Sequence, residues 1–121
     1  MPMSSGNYGK ELILDLHDCD VRLITEPSLE RFLDVLCVFL EMEQVQRHWW
    51  KDLANEEPHL AGISVVQFIR TSNVTVHALT KIQCVYINLF SCKDFDAEKA
   101  AALATSWFSG KVVANHVVDR I

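Results

Sequence analysis

The sequence has little that would bind a polyanion or cross a membrane. Acidic residues outnumber basic ones by 16 to 11, which gives a net charge of −5 and a pI near 5.4. The basic residues form no block of the kind that binds nucleic acid. The longest strictly apolar run, residues 35–40, is far shorter than a membrane-spanning helix, and residues 1–7 lack the basic start and apolar stretch of a secretory signal. We therefore expect a cytoplasmic protein with no nucleic-acid or membrane partner.

Glycine and cysteine are few, and their spacing excludes several common sites. The four glycines form no phosphate-binding loop. The four cysteines are Cys19, Cys37, Cys84 and Cys92, and no two of them have the CxxC spacing of a zinc or redox site. We expect no metal site and no disulfide framework, and we expect Cys37 and Cys84 to be small core residues.

What the sequence does have is enough apolar material for one ordinary domain over residues 1–121. Half of the residues are hydrophobic and only 22% are charged, which excludes a disordered chain. An apolar share at the upper end of normal usage indicates that some apolar surface meets a second subunit.

The periodicity of the apolar residues predicts the order β-α-(β)-β-β-β-α-β. The first helix is predicted to begin at Thr25 and Pro27, and the second to begin at an N-cap, Asp96, and to stop at Gly110. Strands are predicted over residues 11–16, 63–70, 74–79, 85–90 and 111–118, with a short strand or irregular segment before Lys51. This order predicts an α+β fold, a two-layer sandwich of a mostly antiparallel sheet with two helices on one face.

Taken one at a time, the residues that could carry chemistry have ordinary structural explanations. Ser72 lies in a polar break between two predicted strands and is most simply a turn residue. His77 has apolar neighbours, as a half-buried, hydrogen-bonded histidine does, and Cys92 lies at a strand end, as many inert cysteines do. Asp18 has the composition of a turn residue.

Read together, however, these residues resemble a family. Residues 9–20, Gly-Lys-Glu-Leu-Ile-Leu-Asp-Leu-His-Asp-Cys-Asp, are similar to the first strand of the prokaryotic S-adenosylmethionine decarboxylases. Residues 62–64 (Gly-Ile-Ser), Ser72 with residues 74–77 (Val-Thr-Val-His), and residues 89–92 (Leu-Phe-Ser-Cys) resemble three later blocks of the same family. The intervals of 8, 5 and 15 residues that separate Ser64, Ser72, His77 and Cys92 are also those of the family.

The resemblance implies a self-processing enzyme whose cofactor is a pyruvoyl group generated from Ser72. The Ser72 hydroxyl would attack the carbonyl of Thr71 and convert the peptide bond into an ester, and elimination would cleave the chain between residues 71 and 72. By resemblance, Ser64 and His77 serve this processing, with His77 helping to remove the α-proton. The pyruvoyl carbonyl then forms a Schiff base with an amino-acid substrate, and Cys92 protonates the product of decarboxylation. The family also implies a homodimer with the active site near the interface.

The chain departs from the family at positions that bind the substrate. Thr71 stands where a glutamate usually precedes the cleaved serine, and Asn73 stands where a histidine usually follows it. Lys81 stands where the family has the glutamate that accepts hydrogen bonds from the ribose hydroxyls, and lysine has only donors. The usual aromatic platform for adenine is also absent, although Trp49 or Trp50 offers a replacement.

Three interpretations therefore stay open. The chain is an S-adenosylmethionine decarboxylase that holds its nucleoside differently, or it uses pyruvoyl chemistry on arginine or ornithine, or it is an unprocessed regulatory relative. In the first two, Thr71 and Asp18 are candidate substrate-binding residues, with Asp18 suited to the cationic tail of arginine or ornithine.

Overall fold

The computed structural model of this chain describes residue 3 and residues 6–121. The described chain has six strands and two α-helices. The strands are β1 (Gly9–His17), β2 (Gln44–Asp52), β3 (Gly62–Ile69), β4 (Ser72–Leu79), β5 (Cys84–Ser91) and β6 (Lys111–Arg120), and the helices are α1 (Glu26–Phe39) and α2 (Ala97–Phe108). A single 3₁₀ turn (Val21–Leu23) lies between β1 and α1. Neither helix is long and apolar enough to span a membrane.

All six strands form one sheet in the order β2-β3-β4-β5-β1-β6. Every neighbouring pair is antiparallel, and β2 to β5 follow one another as a meander because short connections favour antiparallel neighbours. The predicted α+β sandwich is confirmed.

The helix starts are the ones that the sequence predicts. The Thr25 hydroxyl accepts the Ser28 N–H at the start of α1, and the Asp96 carboxylate accepts the Lys99 N–H at the start of α2. Helix α2 ends at Phe108 with Ser109 as its C-cap, just before Gly110 as predicted, but the residue in the left-handed conformation is Ser109 and not the glycine. A side chain at position 110 would have no room, because its Cβ would lie 2.9 Å from the Cys19 sulfur.

One face of the sheet forms the core with both helices. In β1, Leu12, Leu14 and Leu16 are buried, and the central strands contribute alternate residues to the same face. The helices contribute the apolar stripes Leu29, Phe32, Leu33, Leu36 and Ala100, Ala101, Ala104, Phe108. Cys37 and Cys84 are buried, as predicted.

The opposite face, which we call the open face, is not covered by either helix of the described chain. It presents a mixed set of polar, aromatic and apolar side chains from the alternate strand positions: Glu11, Ile13, Asp15, Trp50, Ser64, Val66, Phe68, Asn73, Thr75, His77, Tyr86, Asn88, Phe90 and His116. Because successive strand residues alternate between faces, none of these side chains contributes to the helix-covered core.

Two of the differences between the predicted and observed strands bear on the site. The segment before Lys51 is a full edge strand of nine residues, β2, whose side chains are half-buried or exposed. β4 begins at Ser72, two residues earlier than predicted, so that Ser72 is the first residue of a strand and not a turn residue. Both differences arise because β2 and β4 pair with β3. A segment becomes part of a strand where the neighbouring strand offers hydrogen bonds to its backbone.

Candidate active site

The backbone is strained at Ser72. The connection from β3 to β4 is so tight that Ile69 pairs directly with Ser72. Ser72 has a φ angle of 152°, in a region that is nearly reserved for glycine and costs on the order of 1–3 kcal/mol for other residues. The Asn73 side-chain amide donates a hydrogen bond to the Ser72 hydroxyl oxygen over 3.2 Å. The peptide bond that precedes Ser72 is therefore held at a strained corner.

The carbonyl of Thr71, which belongs to that peptide bond, accepts a hydrogen bond from the Cys92 N–H at 3.0 Å. A hydroxyl that attacks a carbonyl places negative charge on the carbonyl oxygen, and an N–H already directed at that oxygen stabilises the charge. Sequence reasoning could not have found this donor, because every residue except proline carries the same backbone N–H.

The side chain of Thr71 is held by the interior of the sheet. Its hydroxyl lies 2.8 Å from the hydroxyl of Ser91, which is fully buried and also accepts the Lys93 N–H at 3.0 Å. Thr71 thus anchors the corner before Ser72. Its predicted role in substrate binding stays a prediction.

The thiol of Cys92 is the accessible one among the four cysteines. Cys92 directly follows β5 and is half-buried, whereas Cys19, Cys37 and Cys84 are buried. Burial raises the pKa of the Cys19 and Cys37 thiols to about 11.

Thr71, Ser72 and Cys92 form one cluster at one end of the sheet, because the Cys92 N–H is bound to the Thr71 carbonyl and Ser72 pairs with Ser91. We call this cluster the cleavage corner.

A second group lies on the open face, in the middle of the sheet. Ser64 on β3 and His77 on β4 are cross-strand partners, and the Ser64 hydroxyl lies 2.5 Å from His77 Nδ1. His77 is exposed, and Tyr86 lies opposite it on β5. A hydroxyl hydrogen-bonded to an imidazole is an arrangement that can accept and donate protons. We call Ser64 and His77 the Ser–His pair.

The two groups are far apart in a single chain. Ser72 and His77 lie on the same extended strand, and at a rise of 3.2–3.4 Å per residue their five-residue separation spans about 16 Å. Proton transfer needs heavy atoms about 3 Å apart. The fold therefore brings Ser64 to His77, and Thr71 to Cys92, but it does not bring His77 to the Ser72 of the same chain.

Asp18 lies still farther from the cleavage corner. It follows the last residue of β1, whereas the first residues of β1 lie beside Ser91 and Cys92. The nine residues of β1 separate them by about 25–30 Å. Asp18 is exposed, has a φ of 53°, and its predicted substrate contact stays a prediction.

Lys81 and the two tryptophans differ in what they offer to a ligand. The Lys81 ammonium donates to the backbone carbonyl of Asn55 at 2.6 Å, which joins the β4–β5 turn to the loop before β3. Trp49 packs against the core, whereas Trp50 is 70% exposed and lies opposite Ser64 on the open face. Of the two, only Trp50 is placed to stack on a ligand beside the Ser–His pair.

The described residues contain no group of three or more histidine, cysteine, aspartate or glutamate side chains that could hold a metal ion.

Comparison with known proteins identifies the family of the chain and relates its fold to a solved structure. A model of the S-adenosylmethionine decarboxylase family matches residues 10–121. No curated protein matches the sequence significantly. Among solved structures, the fold is similar to the crystal structure of the adenosylmethionine decarboxylase from Aquifex aeolicus VF5, with a TM-score of 0.81 and 16% identity over 94% of this chain and 91% of that one. At that identity the structural match supports the fold, and the family model supports the class.

The chain is therefore a decarboxylase, an enzyme of the carboxy-lyase class. It belongs to the S-adenosylmethionine decarboxylase family, as the resemblance of its motifs predicts.

Proposed function

We propose that the chain cleaves itself between Thr71 and Ser72 and then acts as a pyruvoyl-dependent S-adenosylmethionine decarboxylase of spermidine synthesis. The observation that carries this proposal is the cleavage corner. A strained serine follows a carbonyl that already accepts a hydrogen bond from the Cys92 N–H. Strain raises the energy of the uncleaved chain and the N–H stabilises the oxyanion, so both lower the barrier to attack by the Ser72 hydroxyl.

The atoms of the processing step balance without any further reactant except water. The Ser72 hydroxyl adds to the Thr71 carbonyl carbon, the C–N bond breaks, and an ester joins the two segments. Removal of the Ser72 α-proton expels the Thr71 carboxylate, which becomes the C-terminus of chain 1–71. Hydrolysis of the new N-terminus of chain 72–121 releases ammonia and leaves a pyruvoyl group. When formed, that group supplies an electron sink for loss of carbon dioxide.

The proposal requires a second copy of the chain. The α-proton of Ser72 needs a base, and His77 of the same chain lies about 16 Å away along an extended strand. We infer that two chains pack through their open faces, so that the Ser–His pair of each serves the cleavage corner of the other. Phe68, Val66 and Ile13 give the open face apolar surface that such packing would bury.

Cys92 is proposed as the group that protonates the substrate carbon after carbon dioxide leaves. It lies next to Ser72 in space, through the hydrogen bond from its N–H to Thr71. It is also the accessible thiol of the four. The free state of all four cysteines fits the cytoplasmic location that we propose.

The nature of the substrate rests on Trp50 and Lys81, which favour different answers. An exposed indole beside the Ser–His pair is suited to stack on adenine, which favours S-adenosylmethionine. Lys81 occupies the position of the family's ribose-binding carboxylate, and its ammonium is hydrogen-bonded to Asn55. The loss of that carboxylate favours the second candidate, arginine or ornithine.

Intact-mass measurement tests the processing step directly. We expect wild-type protein to give chains 1–71 and 72–121, with the second chain gaining two hydrogens after borohydride reduction. Ser72→Ala should give one chain of 121 residues. The matched control Ser106→Ala changes an exposed helical serine and should be cleaved normally. An uncleaved wild-type chain would support the unprocessed regulatory relative instead.

Release of labelled carbon dioxide identifies the substrate. The processed protein is supplied in parallel with carboxyl-labelled S-adenosylmethionine, arginine and ornithine. Release from S-adenosylmethionine alone supports the proposal, whereas release from arginine or ornithine alone supports the second candidate.

A further inference from the structure

An arginine from an edge strand reaches over the open face toward the cleavage corner. Arg120 is the last residue of β6, and β1 separates β6 from β5. Its guanidinium nevertheless lies over the ring of Phe90 on β5, at 4.9 Å from the ring centroid. None of the motifs described above includes this arginine, so its place above the open face is a result of the fold.

The aromatic ring below this guanidinium is a close neighbour of Ser72. Phe90 pairs with Asn73, and Ser91 pairs with Ser72. Because neighbouring strands lie about 4.8 Å apart and successive residues about 3.3 Å apart, the Cα atoms of Phe90 and Ser72 are about 6 Å from each other. Arg120 therefore places a positive charge beside the residue that is proposed to carry the reactive ketone.

Two contacts hold the Arg120 side chain in this position. Its Nη1 donates a hydrogen bond to Glu11 Oε1 at 3.0 Å, and the Asn88 side-chain amide donates to the other oxygen of the same carboxylate at 2.9 Å. A guanidinium above an aromatic ring is also attracted to the ring face. Glu11 and Phe90 thus fix the guanidinium from two directions, as a group that orients a ligand requires.

The guanidinium keeps donors for a further acceptor. Among the described residues it donates to Glu11 alone, through Nη1, and the side chain is 48% exposed. A guanidinium has five N–H donors in a plane and can bind a carboxylate through two of them. Since Nη2 and Nε have no acceptor within the described part of the chain, Arg120 can bind a second carboxylate in addition to Glu11.

The other cationic side chains near the cleavage corner are bound elsewhere. Lys10 forms an ion pair of 2.9 Å on the helix side of the sheet, and Lys93 donates to a backbone carbonyl in the turn after α1. Arg70 forms an ion pair of 3.4 Å with the acidic residue that directly precedes β2. Arg120 is therefore the cation that is held over the open face next to the cleavage corner.

We propose that Arg120 binds the α-carboxylate of the amino-acid substrate, with Glu11 and Phe90 as its positioning residues. This inference rests on the proposed function, and it applies equally to S-adenosylmethionine, arginine and ornithine, which all carry this group. A substrate whose amino group reacts at residue 72 holds its carboxylate within a few bonds of that residue. The carboxylate is charged before the reaction and leaves as neutral carbon dioxide, so Arg120 contributes to binding of the substrate and not of the product.

Comparison of the substrate with the product tests this contact. In Arg120→Gln we expect KM for the amino acid to rise about tenfold. The inhibition constant of the product amine, which lacks the carboxylate, should stay unchanged. The kcat should not fall, because the lost hydrogen bonds belong to the carboxylate before it leaves. Arg120→Lys keeps the charge and loses the planar pair of donors, so its KM should rise less.

The matched control is Arg22→Gln, which changes an exposed arginine that pairs with Asp20 beyond the far end of β1 and should alter neither constant. Should Arg120→Gln be unstable in thermal unfolding, Arg120→Lys carries the same comparison. An unchanged KM, or an equal rise in the inhibition constant of the product, would overturn the inference and leave the proposed function intact. A wild-type protein that decarboxylates none of the three amino acids would overturn the proposed function, and the inference with it.

Discussion

The distance between the Ser–His pair and the cleavage corner leads to a prediction about mixed dimers. In the proposed cleavage, Ser72→Ala removes the attacking hydroxyl, and His77→Ala removes the base. Each variant alone should stay largely uncleaved. If the base came from the same chain, mixing the two variants would restore nothing, since no chain in the mixture has both groups.

The geometry predicts the opposite result. Ser72 and His77 are five residues apart on β4, about 16 Å, so in the proposed dimer the base comes from the second chain. When the two variants are co-expressed in equal amounts, about half of the dimers contain one chain of each kind. In those dimers the intact Ser72 of the His77→Ala chain faces the intact His77 of the Ser72→Ala chain. About half of the His77→Ala chains, or a quarter of all chains, should therefore be cleaved.

Mass spectrometry measures this fraction, because the two variants differ in mass. As a control, His77→Ala is co-expressed with the double variant Ser72→Ala/His77→Ala, which supplies no imidazole, and no restoration is expected. The reasoning would be refuted if the mixed variants co-purify as a dimer but remain uncleaved. It would equally be refuted if His77→Ala alone were cleaved as fast as the wild type.

Three further predictions concern single residues. Cys92→Ala keeps the backbone N–H that faces Thr71, so we expect cleavage to continue while decarboxylation falls by at least about tenfold; unchanged turnover would exclude Cys92 as the acid. Trp50→Ala removes an exposed indole from the open face, and KM for S-adenosylmethionine should rise several-fold at nearly constant stability, as steady-state kinetics and thermal unfolding would show. An unchanged KM would exclude Trp50 as the stacking residue. Asp34 accepts a hydrogen bond from Arg47 at 2.8 Å, and this contact lowers the pKa of the Asp34 carboxyl. Because the pKa of Asp34 is lower in the folded chain than its unfolded-state value of about 4, the ionised carboxylate stabilises the fold at pH values above about 4. Asp34→Asn should therefore cost at most about 1 kcal/mol at pH 7 in urea unfolding, since the pair is partly exposed. The difference from wild type should shrink as the pH falls below about 4, and a difference that grows with acid would contradict the assignment.

Features that depend on neighbouring residues were predictable from the sequence, whereas features that depend on contacts between distant residues were not. The caps Thr25 and Asp96 were predictable because an N-cap depends on a side chain and an N–H only three residues apart. The start of β4 was not, since the conformation of Ser72 depends on pairing with Ile69 and Ser91 on two other strands. The edge strand β2 has a weak pattern for the same reason: its side chains are little buried, and its pairing with β3 decides its extent.

The two tryptophans show where local pattern stops being informative. Trp49 and Trp50 are adjacent and chemically equal, and alternation requires only that they point to opposite faces. Which one meets the core depends on where α1 and α2 pack, and that is a property of the whole fold. Trp49 packs there, which leaves Trp50 exposed beside Ser64.

The order of the elements, the family, and the candidate residues Ser64, Ser72, His77 and Cys92 can be predicted from the sequence, because motifs and periodicity depend on consecutive residues. How these residues group depends on the pairing of the strands, which no local pattern predicts. Strand pairing placed the Cys92 N–H on the Thr71 carbonyl and the Ser64 hydroxyl on His77. The same extended strand that carries both Ser72 and His77 keeps them apart, since an extended chain lengthens by more than 3 Å with every residue.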